Sequence, residues 1–270
     1  MKNCGQSSIG LCSWSLQKEL PQVAEVMSAL GVDHVHLGPV THANRQECLD
    51  LQKKHNWQIS STMIGFPQED YSTLDAIKQT GGIVPDDCWE KNRDLFQQAL
   101  EVTADLGIGY LSMHAGFIDE SNADYARKIH DRIRLLADAA AAKNITLLLE
   151  TGQETAGDLK HFLETLNHPQ LAVNFDPANM ILYGKGDPIE AVRTLGPWIK
   201  HVHIKDANRS DVPGQWGAEV PWGEGQVNAA AFLGVLDEIG YAGALAIERE
   251  AGDDRAGDIK QAIDRLVASR

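Results

Sequence analysis

Eight times along the chain a short strand-like run is followed by a longer stretch of helical periodicity. The strand-like runs are Ile9–Trp14, His34–Gly38, Gln58–Ile64, Tyr110–His114, Thr146–Glu150, Ala172–Asp176, His201–Lys205 and Ala244–Arg249. The helical stretches between them include Leu20–Leu30, Trp89–Leu106, Ala123–Ala142, Ala156–Leu166, Ile189–Leu195, Asn228–Ile239 and Asp254–Ala268. In the third of these, Ile129, Ile133, Leu136 and Ala140 fall on one stripe, and Lys143-Asn144 supplies a stop before the next strand. Strands that alternate with helices pair in parallel, because each crossover carries the chain back along the sheet. Eight such units, with no break in composition and no Pro/Gly/Ser linker, predict an α/β fold: a closed (β/α)8 TIM barrel forming a single domain over residues 1–270. An open doubly wound sheet is the alternative, but no GxGxxG follows the first strand.

The 270 residues match the usual length of one such barrel, and a core of this scale needs no disulfide or metal merely to hold it together. With 24 Lys+Arg against 38 Asp+Glu the formal charge is −14, which argues against a partner bound through a phosphate backbone. Cys4, Cys12, Cys48 and Cys88 form no CxxC pair and read as packing residues. The N-terminal segment lacks a secretory apolar stretch, and no apolar run approaches the roughly 20 residues of a membrane span. The expectation is a cytoplasmic protein without nucleic-acid or membrane partners; assembly into a homo-oligomer is left open.

The informative residues stand at the ends of the later strands. ITLLLE ends in Glu150, AVNFD in Asp176, HVHIKD carries His201, His203, Lys205 and Asp206, and ALAIERE carries Glu248 and Glu250. Period-two alternation aligns Glu150 with Leu148, His203 with His201 and Lys205, and Glu248 with the small residues Ala246 and Ala244. If those side chains point inward, Glu150, Asp176, His203 and Glu248 converge from four successive strands. Their mutual repulsion then calls for a divalent cation, and the mixed O/N set suits Mn²⁺, Mg²⁺, Co²⁺ or Zn²⁺ without choosing among them. A lone acid at a strand end is otherwise a helix cap or a surface charge; three acids and a histidine at one level argue for more than that. His201 reads as a deeper core residue, and Glu250 and Asp206 as loop or ion-pair residues. His114 either lines a pocket, approaches a second metal or packs. His36 and Trp14 are candidates for the pocket floor and wall, with ordinary core as the alternative for Trp14.

The anchors LLLETGQETAGDL, NFDPANM, HVHIKDANR and LAIERE, in this order, resemble the xylose isomerase-like barrel superfamily, which includes sugar-phosphate isomerases, ketose 3-epimerases, inosose dehydratase and endonuclease IV. The resemblance runs from GLCSWS through AIERE and implies the barrel fold. It also implies Glu150, Asp176, His203 and Glu248 as metal ligands, with Glu150 and Glu248 as the acid/base pair. Arg209 falls where the epimerases place an arginine on substrate oxygens. Asn179 replaces their substrate-contacting histidine, and Ala156 replaces a second glutamate, so the substrate and the exact reaction stay open.

A cation chelated by adjacent carbonyl and hydroxyl oxygens acidifies the neighbouring C–H, and two glutamates on opposite faces can then move the proton through an enediolate. The reading is a divalent-metal-dependent isomerase or epimerase acting on a small sugar, sugar phosphate or polyol. The alternatives are an inosose-type dehydratase and a noncatalytic sugar-binding barrel; the acidic charge argues against a DNA-repair endonuclease. Arg209 and Lys205 would orient hydroxyls or a phosphate, or Lys205 would pair with Asp206 or a ligand carboxylate. No GxxxxGK[ST] phosphate cradle is present. Three connections after strands, 65–88, 177–188 and 206–226, are overlong and are expected to carry function. The first, with Tyr71, Lys78 and Gly81-Gly82, reads as a lid hinged at the glycines or as a surface excursion. The last would place Trp216 and Trp222 on a sugar face, in closure of the pocket or in a subunit contact.

Overall fold

The computed structural model describes residues 2–212 and 214–269. Its strands are β1 (Asn3–Cys4), β2 (Ser7–Cys12), β3 (His34–Leu37), β4 (Gln58–Ile64), β5 (Tyr110–Met113), β6 (Thr146–Glu150), β7 (Leu171–Phe175), β8 (Ile199–Ile204), β9 (Asp206–Asn208), β10 (Ala218–Val220) and β11 (Leu245–Ile247). Strands β2 to β8 and β11 form one parallel sheet that closes because β2 pairs with both β3 and β11. This is the (β/α)8 barrel that the alternation predicts. Strand β1 adds an antiparallel edge to β2, and β9 with β10 forms a separate hairpin; neither is evident from the sequence pattern.

The helices are α1 (Leu20–Leu30), α2 (Arg45–His55), α3 (Leu74–Thr80), α4 (Trp89–Asp105), α5 (Ala123–Ala141), α6 (Ala156–Leu166), α7 (Pro177–Leu182), α8 (Pro188–Leu195), α9 (Ala229–Glu238) and α10 (Arg255–Ala268). Helix starts follow local capping chemistry. Asn122 accepts from the amides of Asp124 and Tyr125, and Thr155 accepts from that of Asp158. The overlong connections hold structure of their own: α3 lies in 65–88, α7 in 177–188 and the β9–β10 hairpin in 206–226.

Alternation along each strand separates two environments. Leu147, Leu149, Val173, Phe175, Val202 and Ile204 face outward into a shell of buried apolar side chains shared with the helices. The opposite face of the same strands carries polar groups into the barrel interior. There His201 Nδ1 donates to Asn174 Oδ1 at 2.9 Å, with Ser60 Oγ 2.9 Å from its Nε2, and the His36 and His201 rings lie 4.5 Å apart. The apolar core is therefore the shell around the barrel, and the axis is a hydrogen-bonded column beneath the strand ends.

Two glycine and loop readings gain a physical account. Gly82 has φ +63°, and a Cβ there would collide with the Ala115 backbone. Its amide also donates to Glu69 at 3.0 Å, so the Gly81-Gly82 pair is packed against the barrel and is no free hinge. In 206–226, buried Asp206 accepts from the amides of Ala207 and Val227 through Oδ1 and of Gly223 and Gly225 through Oδ2, at 2.8–3.0 Å. One carboxylate thus ties the hairpin back to the barrel. Trp222 is buried and packs edge-on to Phe232 at 5.9 Å, a core position rather than a sugar or subunit contact. Replacing Asp206 by Ala strands four amides, and we expect a loss of about 3–5 kcal/mol in unfolding free energy. Urea denaturation of Asp206→Ala against the parent chain checks this.

Candidate metal centre and substrate cavity

Glu150 ends β6, Asp176 follows β7, His203 lies in β8 and Glu248 follows β11, so adjacent parallel strands deliver them to one level at their C-terminal ends. Each offers one ligand atom, and these atoms all lie within 4.8 Å of one another. His203 Nδ1 is 3.4 Å from Glu150 Oε1, 3.5 Å from Asp176 Oδ2 and 3.3 Å from Glu248 Oε2. All four residues are buried. At an effective dielectric of 20, two like charges at this separation repel by about 4 kcal/mol. Three carboxylate pairs therefore rival the whole stability of an ordinary domain, about 5–15 kcal/mol.

The surrounding groups hold the carboxylates in place. Trp14 Nε1 donates to Glu248 Oε1 at 2.7 Å, and Lys205 Nζ donates to Glu248 Oε2 at 2.9 Å. Asn179 Nδ2 donates to Glu150 Oε1 at 3.1 Å. Asp176 caps α7 by accepting the Asn179 amide through Oδ1 at 2.9 Å, which aims Oδ2 at the cluster. Asp176 Oδ2 and His203 Nδ1 are buried without a hydrogen-bond partner. Two orphaned donors of electron pairs, facing two more carboxylates, fit a divalent cation.

His36 lies fully buried below this level and does not line the cavity, which corrects its expected place on the pocket floor. Its Nε2 is 3.3 Å from the Thr62 carbonyl, which can only accept, so the proton belongs on Nε2 and Nδ1 is left as the acceptor. That Nδ1 is 2.9 Å from His203 Nε2. Asn174 Nδ2 lies 3.1 Å from the same His203 Nε2, so that nitrogen is held from below by two groups and Nδ1 is turned to the carboxylates, the orientation a metal-ligating imidazole needs.

Charge states follow from these partners. Burial pushes the Glu248 carboxyl up, but Lys205 and His203 outweigh it and hold it well below the usual range. Burial likewise acts on Glu150, where His114 and His203 prevail and keep it low. Asp176 goes the other way: burial exceeds the pull of Lys205 and His203 and raises it to about 6. Burial alone would discharge His203, but Cys12 and the surrounding glutamates hold it well above its ordinary value. His36, under burial and the neighbouring His203, falls to about 3 and is neutral.

Above the cluster opens a cavity of about 440 Å³, within the range of small-molecule sites. Trp14, Tyr71, His114, Asn179, Tyr183, Lys205 and Trp216 line it, together with Glu69, Glu219, Glu248 and Glu250. Trp14 belongs to a 3₁₀ turn over Ser13–Leu16 rather than to the first strand. His114 Nε2 is 3.6 Å from Glu150 Oε2. Lys205 pairs with Glu248 and with Glu250 at 2.6 Å, not with Asp206. Trp216 Nε1 donates to the Tyr71 carbonyl at 3.0 Å, and its ring meets Tyr183 edge-on at 4.9 Å, so the 65–88 and 206–226 segments join over the cavity. Arg209 is exposed and is not brought into the cavity; it lines a groove beyond Tyr183 with Leu74, Asp211 and Gln215.

Glu69, Tyr183 and Glu219 are cavity residues that the sequence reading missed. They lie in or beside the overlong connections, where length marks the segment but periodicity does not mark the residue. A larger cavity of about 600 Å³ opens at the other end of the strands, beside Tyr110, Thr146 and Lys200, with no converging carboxylates.

The class of protein these features define is a (β/α)8 barrel with a polar site at the strand ends, and residues 24–268 match the xylose isomerase-like TIM barrel family. The chain belongs to that family. It is 32% identical to a xylose isomerase domain protein from Planctomyces limnophilus, with a TM-score of 0.92 over 98% of this chain and 97% of that one. It is 24% identical to the L-ribulose-5-phosphate 3-epimerase UlaE of Escherichia coli over 269 residues, covering 90% of this chain and 87% of the enzyme. It is 34% identical over 101 residues to the 3-dehydroshikimate dehydratase of Bacillus anthracis; that match spans 36% of this chain and only 34% of the enzyme. Among the described residues, no helix is long and apolar enough to cross a membrane.

Two outcomes follow. Removing the imidazole that orients His203, as in His36→Leu, should weaken Mn²⁺ binding by about 10–100-fold in a calorimetric titration. Glu154, buried in the loop after β6, has its carboxyl raised by burial to about 8 from 4.5. Between those values the folded chain keeps a proton that the unfolded chain has released, so Glu154 makes stability fall as pH rises through the window. Glu154→Gln should therefore be more stable than the parent by roughly 3 kcal/mol at pH 7 and no more stable near pH 4. Urea denaturation at the two pH values measures the difference.

Proposed function

We propose that this protein is a divalent-metal-dependent isomerase or epimerase of a small sugar or polyol, moving a proton at the carbon beside a carbonyl. The observation that carries this reading is the four-residue cluster, with its two orphaned ligand atoms, reaching the cavity through Glu248. The relationship to a sugar 3-epimerase over most of the chain supports it.

Glu150, Asp176, His203 and Glu248 would hold the cation. A bound divalent ion supplies a Lewis acid that stabilises charge developing on a substrate oxygen. Glu150 and Glu248 approach from strands on either flank of the cluster, and both are held ionised at neutral pH, so each is competent to take a proton on a carboxylate oxygen. One ionised glutamate takes the proton from the substrate carbon, and the other, having first picked up a proton from solvent, returns it from the opposite side; exchange with solvent then resets both. Return to the same carbon yields the epimer, and return to the adjacent carbon yields the isomer. Lys205 neutralises Glu248 between turnovers, and Asn179 fixes the Glu150 carboxylate in plane. Trp14, Tyr71, Tyr183 and Trp216 offer apolar faces to a sugar ring and shield the proton transfers from water.

The partial likeness to a dehydratase favours one second reading, in which proton removal is followed by loss of a hydroxyl as water. Incubation of the Mn²⁺-loaded protein with a sugar panel in D₂O separates the two. The proposal expects carbon-bound deuterium without loss of water, and Glu150→Gln or Glu248→Gln should lower the exchange rate by about 10²–10⁴-fold. Elemental analysis should find about one divalent ion per chain. A protein that takes up none of Mn²⁺, Co²⁺, Mg²⁺ or Zn²⁺ overturns the reading.

A further inference from the structure

The cavity wall is charged in one sense. Glu248, which brings the four-residue cluster to the cavity, is joined in the lining by Glu69, Glu219 and Glu250, and the cations beside them are already engaged. Lys205 is buried and donates to Glu248 at 2.9 Å and to Glu250 at 2.6 Å, with Asp176 at 3.8 Å and Glu219 at 3.9 Å. Arg249 lies 2.6 Å from Glu219 and 2.8 Å from Asp258. His114 faces Glu150. A divalent ion at the base would still leave the wall with an excess of negative charge. Cations outside the lining do not change this: Arg209 is beyond Tyr183, and Lys78 and Lys185 stand over the Phe117 ring at 5.9 and 5.7 Å.

A phosphoryl group brings about −1.5 to −2 charges, and a carboxylate −1. Either would enter a cavity with no unengaged cation among its described lining residues and be repelled by the nearby glutamates, each close pair costing on the order of 1–4 kcal/mol. Hydroxyl groups meet the opposite situation. They donate to carboxylates, and the C–H faces of a sugar pack on Trp14 and Trp216.

Resting on the sugar-chemistry reading above, we propose that the substrate is an uncharged sugar or polyol, and that Glu69, Glu219 and Glu250 reject phosphorylated and carboxylated compounds. The chain would thus part from both curated relatives, whose names specify a sugar phosphate and a carboxylated ring.

The test uses the Mn²⁺-loaded protein in D₂O with matched pairs, L-ribulose against L-ribulose 5-phosphate and D-fructose against D-fructose 6-phosphate, with 3-dehydroshikimate as the carboxylated compound. The uncharged member of at least one pair should exchange with a kcat/KM about 100-fold or more above its phosphate. Equal or faster exchange of the charged member, or turnover of 3-dehydroshikimate in preference to the sugars, overturns the proposal. Glu250→Gln, at a side chain half exposed and therefore tolerant of change, should narrow the discrimination by about tenfold. Unchanged discrimination in Glu250→Gln removes that residue from the assignment. If no compound exchanges, the catalytic reading fails separately and binding decides the charge question. Tryptophan fluorescence titrated with ribitol and with ribitol 5-phosphate should then report the uncharged polyol, and binding of the phosphate in preference, or of neither, overturns the proposal.

Discussion

Three carboxylates and an imidazole are forced to within 4.8 Å of one another inside a buried site, and much of the surrounding structure is organised around that electrostatic load. Lys205 and the Trp14 indole each take one oxygen of Glu248, Asn179 takes one of Glu150, and the first turn of α7 takes one of Asp176. Asp176 is thereby anchored through Oδ1 with Oδ2 left free, whereas Glu248 is held through both oxygens. His203 Nδ1 sits against Glu150 Oε1, Asp176 Oδ2 and Glu248 Oε2, and its ring is held from below by His36, itself fixed at the Thr62 carbonyl. This anchoring fixes geometry without discharging the cluster, and a cation can do the remainder.

The barrel interior makes this orientation durable. Most of the apolar burial lies in the shell between strands and helices, so the axis is released from the task of holding the fold together. It carries instead a column of hydrogen-bonded groups, Ser60, His201, Asn174, His36 and His203, each locked by its neighbour. A histidine on such a column cannot turn without breaking several buried hydrogen bonds, and leaving even one unmade costs about 1–3 kcal/mol. Rigidity at the floor is matched by closure at the roof, where Trp216 and Tyr71 join two connections that are distant in sequence.

The barrel was legible because alternation of period 2 and period 3.6 repeats eight times, and each repeat restates the same packing requirement. The four clustered residues were legible for a related reason: on a parallel strand, position in the run fixes height along the barrel, so acids at the ends of neighbouring strands share a level. Segments without periodicity gave less. Trp222 and Trp216 look alike in sequence, but the first fills the apolar shell while the second roofs the cavity. Arg209, placed near the substrate by its spacing from His203, lies in a groove on the far side of Tyr183 because the β9–β10 hairpin turns that part of the loop outward. His36 reads as a pocket residue yet serves as the support beneath His203.

What the sequence by itself determined, then, is the architecture, the height of each acid on it and the family resemblance, since all three are recorded in local order. What only the tertiary structure decided is partnership. Whether Lys205 meets Asp206 or Glu250, which nitrogen of His203 faces the acids, and whether any cation lines the cavity unengaged depend on distances across the barrel. Those distances are set by closure of β11 onto β2 and by loops packed on one another. No local pattern encodes them, because the residues involved meet only once the sheet has closed.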